Sequence, residues 1–161
     1  MQVASALKEP LATEILPGIW LGSCQAALSR DFIENKRIKT IAQISPDCPT
    51  PWAQVTYYQV YLKDKETCGK KLWKMYAYLT TGLLKGLGRG NLLVACKRGH
   101  HRSACVMVAF LCRYFMYTVE EAFSLIQTKR PLALRRTTCM TEGVREYGLS
   151  LENSRRLMKK G

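Results

Sequence analysis

Residues 91–110 read NLLVACKRGHHRSACVMVAF, and this stretch decides the fold. It begins with NLLVA, a short and wholly apolar run that is typical of a strand covered on both faces of a sheet. A glycine turn crowded with cationic and imidazole side chains follows. An apolar run over residues 103–116 then predicts a central buried helix. The sequence therefore predicts a strand, a tight basic loop and a helix at the centre of one domain.

The loop between this strand and this helix has the composition of a phosphate site. Backbone amides at a helix start point toward a bound anion, and the helix end carries partial positive charge. Gly99 permits the close backbone approach that such a loop needs, and Arg102 can place a planar fork on two phosphate oxygens. The same field favours Cys96 as a thiolate, and a thiolate under a bound phosphate is a nucleophile aimed at phosphorus.

The spacing Cys96-x5-Arg102 is informative only through its context. The same spacing recurs at residues 24–30 (CQAALSR) and 139–145 (CMTEGVR). The first copy lies in a helical pattern without a central glycine, and the second has no buried strand before it. Only the copy at Cys96 combines a preceding strand, a central glycine, Ser103 and a following apolar helix, which is the setting that a phosphate loop requires.

The rest of the chain alternates strand and helix patterns. Apolar periodicity, prolines and glycines predict strands in residues 13–22, 38–44 and 55–62, and helices in residues 23–35, 70–86, 118–130 and 138–149. The tail after Leu149 is expected to be frayed or basic and extended. This order predicts a single α/β domain with a central, mostly parallel sheet flanked by helices.

Composition limits the class of protein. At 161 residues the chain suits one domain, and its net charge of +13 favours phosphorylated proteins, anionic lipids or nucleic acid as partners. Seven cysteines, with no Cys-x2-Cys pair and no secretory leader, predict mostly free buried thiols, with neither a disulfide framework nor a zinc site. No metal or other cofactor is predicted. No apolar stretch is long enough to span a membrane, so the sequence predicts a cytoplasmic protein, with the nucleus as a second compartment.

CKRGHHRS resembles the signature loop, Cys-x5-Arg-Ser/Thr, of the cysteine-dependent protein tyrosine phosphatase superfamily. Other segments are similar to its compact, atypical dual-specificity branch: EILPGIWLG, ISPDCP, AFLC and TVEEAFSLIQTKRP. The resemblance implies a hydrolase with a cysteine nucleophile and a catalytic domain over residues 13–149. It leaves an N-terminal extension at residues 1–12 and a basic C-terminal tail at residues 150–161.

The resemblance also implies catalytic roles. Cys96 is expected to attack phosphorus, Arg102 to bind the phosphoryl oxygens, and Ser103 to help the cysteine depart. In that family an aspartate about 32 residues before the cysteine protonates the leaving oxygen, and Asp64 falls at that position. Glu66 is the second candidate for this acid.

The loop itself is expected to hold the phosphate through Lys97, Arg98, Gly99, His100, His101 and Arg102. The two histidines either line the rim or take part in catalysis. Ala95 stands where the family usually has histidine, so one contribution to loop geometry and thiolate stability is missing. The unusually cationic loop is expected to compensate electrostatically. Asp47 is expected to be a turn residue.

Other residues carry alternative interpretations. A basic rim that favours acidic phosphopeptides, or simply a solvated helix face, is predicted from Lys63, Lys65, Lys70, Lys71, Lys74, Arg135 and Arg136. A redox disulfide between Cys68 and Cys96 is a further alternative. Cys105 and Cys112 lie on the apolar helix and are predicted to be core residues.

The function predicted from the resemblance is hydrolysis of phosphotyrosine and phosphoserine or phosphothreonine in proteins through a cysteinyl-phosphate intermediate. The partners are then phosphorylated, acidic proteins. Two alternatives stay open: a phosphatase acting on phosphoinositides or RNA 5'-phosphates, with anionic lipid or RNA as the partner, and a non-catalytic phosphoprotein-binding module. No oligomeric state is indicated.

Overall fold

The computed structural model describes residues 9–45, 47–62 and 71–160. Within these residues five strands form one sheet: β1 (Ala12–Leu16), β2 (Ile19–Ser23), β3 (Ile38–Gln43), β4 (Thr56–Gln59) and β5 (Asn91–Cys96). The strand order is β1-β2-β5-β3-β4. β1 is antiparallel to β2, whereas β2, β5, β3 and β4 run parallel. The loops that follow the four parallel strands therefore meet at one edge of the sheet.

Strand β5 lies at the centre of this sheet and is covered on both faces. Leu92 and Val94 belong to the apolar cluster on one face, while Leu93 and Ala95 belong to the cluster on the other. All four side chains are fully buried. The prediction of a central apolar strand in a mostly parallel α/β domain is confirmed.

Helices flank the sheet: α1 (Cys24–Leu28), α2 (Arg30–Asn35), α3 (Lys71–Gly86), α4 (Arg102–Tyr114), α5 (Val119–Lys129) and α6 (Cys139–Lys160). Residues 103–112 of α4 are all buried, as predicted for a central helix. Thr118 and Glu121 form the predicted capping box at the start of α5. No helix in the described part of the chain is both long and apolar enough to cross a bilayer.

The prediction of a single helix over residues 23–35 is wrong, because the helix is interrupted at Ser29. Ser29 has an extended backbone (φ −86°, ψ 111°), and its hydroxyl accepts a hydrogen bond from the Phe32 amide at 3.3 Å. Ser23 caps α1 in the same way, accepting from the Ala26 amide at 3.3 Å. A serine that accepts a hydrogen bond from the backbone competes with helix continuation, so Ser29 ends α1 and starts α2.

The expected frayed tail after Leu149 is also wrong, because α6 continues to Lys160. Arg155 Nη1 donates to the Cys112 carbonyl at 2.8 Å, and Arg155 Nη2 donates to the Tyr117 carbonyl at 3.5 Å. Glu152 accepts from the Val119 amide at 3.1 Å. These polar contacts attach the last turns of α6 to the end of α4 and the start of α5, where an apolar pattern gives no signal.

Candidate active site

The predicted nucleophile and its predicted hydroxyl partner lie in contact. Cys96 is the last residue of β5, it pairs in register with Ser23 of β2, and it is 5% exposed. Ser103 is fully buried at the start of α4. The Cys96 Sγ and Ser103 Oγ atoms are 3.0 Å apart, which is hydrogen-bond distance.

Gly99 lies where the loop presses against the end of β2. Its φ is +74°, in the left-handed region that side chains other than glycine rarely adopt. A Cβ added at this position would lie 2.5 Å from the Gly22 carbonyl carbon and 2.6 Å from the Gly22 oxygen. Only glycine fits here, as the sequence predicted for this position.

Arg130 donates hydrogen bonds to backbone carbonyls of the loop. Its Nε donates to the Gly99 carbonyl at 2.9 Å and its Nη2 to the Arg98 carbonyl at 3.2 Å, while the Leu134 amide donates to the His100 carbonyl at 2.8 Å. The carbonyl and the N–H of a trans peptide point in opposite directions. The amides that follow the Arg98 and Gly99 carbonyls therefore point away from Arg130, and the amide that follows the His100 carbonyl points away from Leu134. Amides that share one side of a loop are the arrangement that an anion-binding loop needs.

A second set of contacts joins this arginine to β1 and to the segment before it. Arg130 is 1% exposed and Nη1 donates to the Pro10 carbonyl at 2.8 Å and to Thr13 Oγ1 at 2.9 Å. Glu9 Oε2 bonds to His100 Nε2 and lies 3.6 Å from Arg130 Nη2. Burial lowers the pKa of Arg130, and the negative charge of Glu9 acts in the opposite direction.

Sequence reasoning missed both Glu9 and Arg130. Glu9 falls in the stretch assigned to an N-terminal extension, and Arg130 stands in a KRP sequence whose proline suggested only a helix end. No local pattern connects either residue with the loop. Their roles depend on β1 and α5 lying next to each other in the fold.

His101 bonds to a different element. Its Nε2 is 2.7 Å from Thr138 Oγ1, next to the start of α6. Burial lowers the pKa of His101, and the cationic groups of Arg136 and Arg102 lower it further. The neutral imidazole is therefore favoured near pH 7. Each loop histidine is half-buried and bonded to a side chain outside the loop, whereas Lys97 and Arg98 are exposed.

Arg102 is the first residue of α4, as predicted, and its Nη1 donates to the Leu62 carbonyl at 3.3 Å. Asp64 lies outside the described residues, as do Glu66, Cys68, Lys63, Lys65 and Lys70. The side chain of Lys71 is likewise not described. Asp47 occupies an exposed turn, as expected.

Ala95, the departure from the family pattern, is fully buried. It pairs with Gly22 of β2 on one side and with Gln43 of β3 on the other. Gln43 Nε2 donates to the Cys48 carbonyl at 3.1 Å, and its buried Oε1 has no partner within the described residues. A histidine at position 95 would have to fit into this closely packed strand position. The side chain that this chain has there is only a methyl group, which makes no hydrogen bond.

A cationic cleft opens beside the loop. Its volume is about 450 Å³, and it is lined by Glu9, Pro10, Leu11, Ser23, Cys24, Gln25, Lys97, Arg98, His100 and Arg130. Arg135, Arg136 and Lys74 are exposed, as predicted for a basic rim or a solvated face.

The cysteines differ from the prediction of mostly free thiols. Cys24 and Cys48 form a disulfide, and Cys139 is also disulfide-bonded. The start of α1 and the loop after β3 meet at one sheet edge, and a sequence gives no sign of this pairing. Cys96 is free, so the alternative Cys68–Cys96 disulfide is not present.

The two cysteines of α4 are core residues, as predicted. Cys105 and Cys112 are free and fully buried. Burial raises the pKa of both thiols, that of Cys112 to about 12. These thiols are therefore inert near neutral pH.

The structure thus places a Cys-x5-Arg loop between the end of a central strand and the start of a buried helix, in an α/β domain. The family model "Dual specificity phosphatase, catalytic domain" matches residues 19–147. The chain belongs to this family. It is 31% identical to dual specificity protein phosphatase 4 of Homo sapiens over 120 residues, which are 74% of this chain and 30% of that relative.

Solved structures show the same fold. The crystal structure of human DUSP28 superposes with a TM-score of 0.75 at 23% identity, covering 90% of this chain and 97% of that one. PTPMT1 in complex with PI(5)P superposes with a TM-score of 0.73 at 16% identity, covering 90% and 99%. This chain thus spans nearly the full length of these structures, but under a third of the curated relative named above.

Proposed function

We propose that this chain hydrolyses phosphate monoesters on proteins, both phosphotyrosine and phosphoserine or phosphothreonine, through a cysteinyl-phosphate intermediate. One observation carries the proposal: Cys96 Sγ lies 3.0 Å from Ser103 Oγ, in a loop whose Arg98 and Gly99 carbonyls accept hydrogen bonds from Arg130. A hydroxyl that donates to sulfur stabilises the thiolate, both as attacking group and as leaving group. The amides that face away from Arg130 are then available to phosphoryl oxygens.

The proposed reaction has two steps. The Cys96 sulfur attacks phosphorus and the ester P–O bond breaks, while Asp64 gives its proton to the leaving oxygen. Water then attacks phosphorus and gives a proton to Asp64. The P–S bond breaks, and the sulfur leaves as a thiolate that accepts a hydrogen bond from Ser103. Arg102 and the loop amides hold the equatorial oxygens in both steps.

Charge supports an acidic phosphoprotein as the substrate. The chain carries a net charge of +13, and Lys97 and Arg98 are exposed at the mouth of the loop, with Arg135 and Arg136 also exposed. The name of the human relative, a protein phosphatase, supports the same substrate class. Two observations support a phosphoinositide as the alternative substrate. PTPMT1 was solved in complex with PI(5)P, and Lys97 of this chain lies inside the loop.

Ala95 supports a second candidate function, a non-catalytic module that binds phosphoproteins. It is fully buried, and it supplies neither a hydrogen bond nor charge to the loop. A loop without that support still presents amides and Arg102 to an anion. Binding without turnover is then the expected property.

The first experiment separates these functions. Hydrolysis of a small aryl phosphate is measured from about pH 5 to about pH 8 for the intact chain, Cys96→Ser and Asp64→Asn. We expect Cys96→Ser to lose about a thousandfold or more in turnover, and Asp64→Asn about a hundredfold together with the basic limb of the profile. Cys112→Ser, which changes a buried thiol away from the loop, is the matched control and keeps full turnover.

Two results would contradict the proposal. An intact chain as inactive as Cys96→Ser that still binds orthovanadate supports the binding module. If the chain is active but prefers a phosphoinositide or a triphosphorylated RNA over acidic phosphotyrosine and phosphothreonine peptides, the substrate is a lipid or an RNA and not a protein.

A further inference from the structure

A disulfide lies beside the phosphate loop and takes no part in the chemistry proposed above. Cys24 is the first residue of α1 and follows Ser23, which pairs in register with Cys96. Cys48 lies in the loop after β3, and the two sulfurs are bonded. The carboxyl ends of β2, β3 and β5 thus bring this disulfide to the sheet edge that carries the loop.

The two cysteines of this disulfide differ in exposure. Cys48 is 4% exposed, whereas Cys24 is half-buried and lines the cleft of about 450 Å³. A nucleophile entering the cleft therefore reaches Cys24 first, and Cys48 is the leaving group. Access and the leaving sulfur are what decide which atom of a disulfide is attacked.

The cleft around Cys24 favours an anion. Lys97 and Arg98 line it, and within the described part of the chain neither makes an ion pair. The only carboxylate among the described lining residues is Glu9, which is already bonded to His100 and close to Arg130. An incoming group with negative charge is thus attracted, and a cationic one is repelled.

The loop that carries Cys48 has anchors besides the disulfide. The Cys48 carbonyl accepts from Gln43 Nε2 at 3.1 Å and from Gln59 Nε2 at 3.3 Å. Trp52 Nε1 donates to the Ala27 carbonyl at 2.7 Å. Opening the disulfide therefore leaves this loop in place, and Cys48 stays near enough to re-form the bond.

We propose that Cys24 is a site of thiol–disulfide exchange with small anionic thiols, of which glutathione is the probe, bound in the cleft beside Lys97 and Arg98. The thiolate of glutathione attacks Cys24 Sγ and forms a new S–S bond. The Cys24–Cys48 bond breaks, and Cys48 leaves as a thiolate that takes a proton from water. The incoming sulfur is oxidised and Cys48 is reduced, so the step needs no further oxidant.

The test uses the intact chain with its disulfides formed. It is mixed with reduced glutathione, with neutral 2-mercaptoethanol or with cationic cysteamine, quenched in acid at early times and mapped by mass spectrometry. We expect one glutathione at Cys24 and, per thiolate, roughly tenfold faster exchange for glutathione than for 2-mercaptoethanol at low salt, with cysteamine slowest. Salt should remove the difference.

Variants sharpen the result. Exchanging both Lys97 and Arg98 for Gln should slow exchange with glutathione most and exchange with 2-mercaptoethanol, whose thiolate carries a single negative charge, less, so that the preference for glutathione is lost. Cys48→Ser leaves Cys24 as a free thiol, which reduced glutathione cannot modify but glutathione disulfide can. Equal rates for the three thiols, no exchange, or a first adduct at Cys139 instead of Cys24 would overturn the proposal.

A second measurement links the adduct to the loop without using turnover. The carboxylates of bound glutathione lie beside Lys97 and Arg98 and neutralise part of the local charge. The affinity of Cys48→Ser for orthovanadate should fall several-fold once glutathione disulfide has formed the adduct at Cys24, because no Cys48 thiol is present to displace it. Removal of the adduct with dithiothreitol, followed by removal of the dithiothreitol, should restore the affinity. An unchanged affinity would mean that the adduct does not occupy the cleft. A chain that exchanges thiols yet hydrolyses no phosphate ester contradicts the proposed function alone.

Discussion

Gly99 is the residue whose backbone shape governs the loop. Its φ is positive, and an added Cβ would lie 2.5 Å from the Gly22 carbonyl carbon, so Gly99→Ala is both strained and crowded. We expect the variant to fold but to lose about tenfold or more in orthovanadate affinity, because the amides on either side of residue 99 turn away from the anion. Isothermal titration calorimetry measures this loss.

Gly88 provides the matched control for that variant. It lies after α3, and the atom closest to an added Cβ is the Lys85 carbonyl oxygen at 3.8 Å, an ordinary contact. Gly88→Ala should keep the affinity of the original chain. If both alanine variants bind equally well, the backbone conformation at Gly99 does not control anion binding.

His101 makes stability depend on pH. Its pKa in the folded chain lies below the ordinary value of 6.5, because burial and the charges of Arg136 and Arg102 disfavour the imidazolium. The unfolded chain then binds more protons near that pH, so this contribution is present above about pH 6.5 and is lost as the pH falls.

The corresponding variant is His101→Gln, which keeps a polar group toward Thr138. Urea unfolding from about pH 5 to about pH 8 should show a smaller loss of stability at acid pH for this variant than for the intact chain. Two parallel curves would show that His101 does not titrate differently in the folded and unfolded states.

At the scale of elements, the end of α6 stabilises the domain through polar contacts. Arg155 donates to the carbonyls of Cys112 and Tyr117, where α4 ends. Arg155→Ala leaves these acceptors without this donor, and we expect a loss of about 1 to 3 kcal/mol in the free energy of unfolding.

Arg156 is the control beside it. It is exposed and bonds to Asn153 of its own helix at 3.2 Å. Arg156→Ala should change stability by less than about 0.5 kcal/mol in the same urea titration. Equal losses for the two variants would show that the hydrogen bonds of Arg155 are not what stabilises the end of α6.

At the scale of the whole molecule, the net charge of +13 should act on binding at a distance. The affinity of Cys96→Ser for an acidic phosphopeptide should fall about tenfold between about 0.05 M and about 0.5 M salt, since exposed charges are screened over a Debye length. A phosphopeptide with neutral flanking residues is the control, and its affinity should fall less. Equal salt dependence for the two peptides would show that the loop alone recognises the substrate.

The central part of the site was predictable because its signals are local in sequence. Cys96, Gly99, Arg102 and Ser103 lie within eight consecutive positions, and their strand, turn and helix patterns each follow from neighbouring residues. The capping box at Thr118 was predictable for the same reason. The break at Ser29 was not, because a serine in a helical pattern is compatible with either continuation or a cap.

By itself the sequence determined the central strand, the glycine loop, the buried helix and the single α/β domain, because these depend on periodicity, backbone preference and charge along the chain. Tertiary structure alone decided that Glu9 reaches His100, that Arg130 ties back the loop carbonyls and that Cys24 bonds to Cys48. Each of these contacts joins residues far apart in the chain. The disulfide forms because the parallel strands β2 and β3 bring their carboxyl ends to one edge of the sheet. The Glu9 and Arg130 contacts form because antiparallel β1 and helix α5 lie next to each other. Neither proximity has a signature in local sequence.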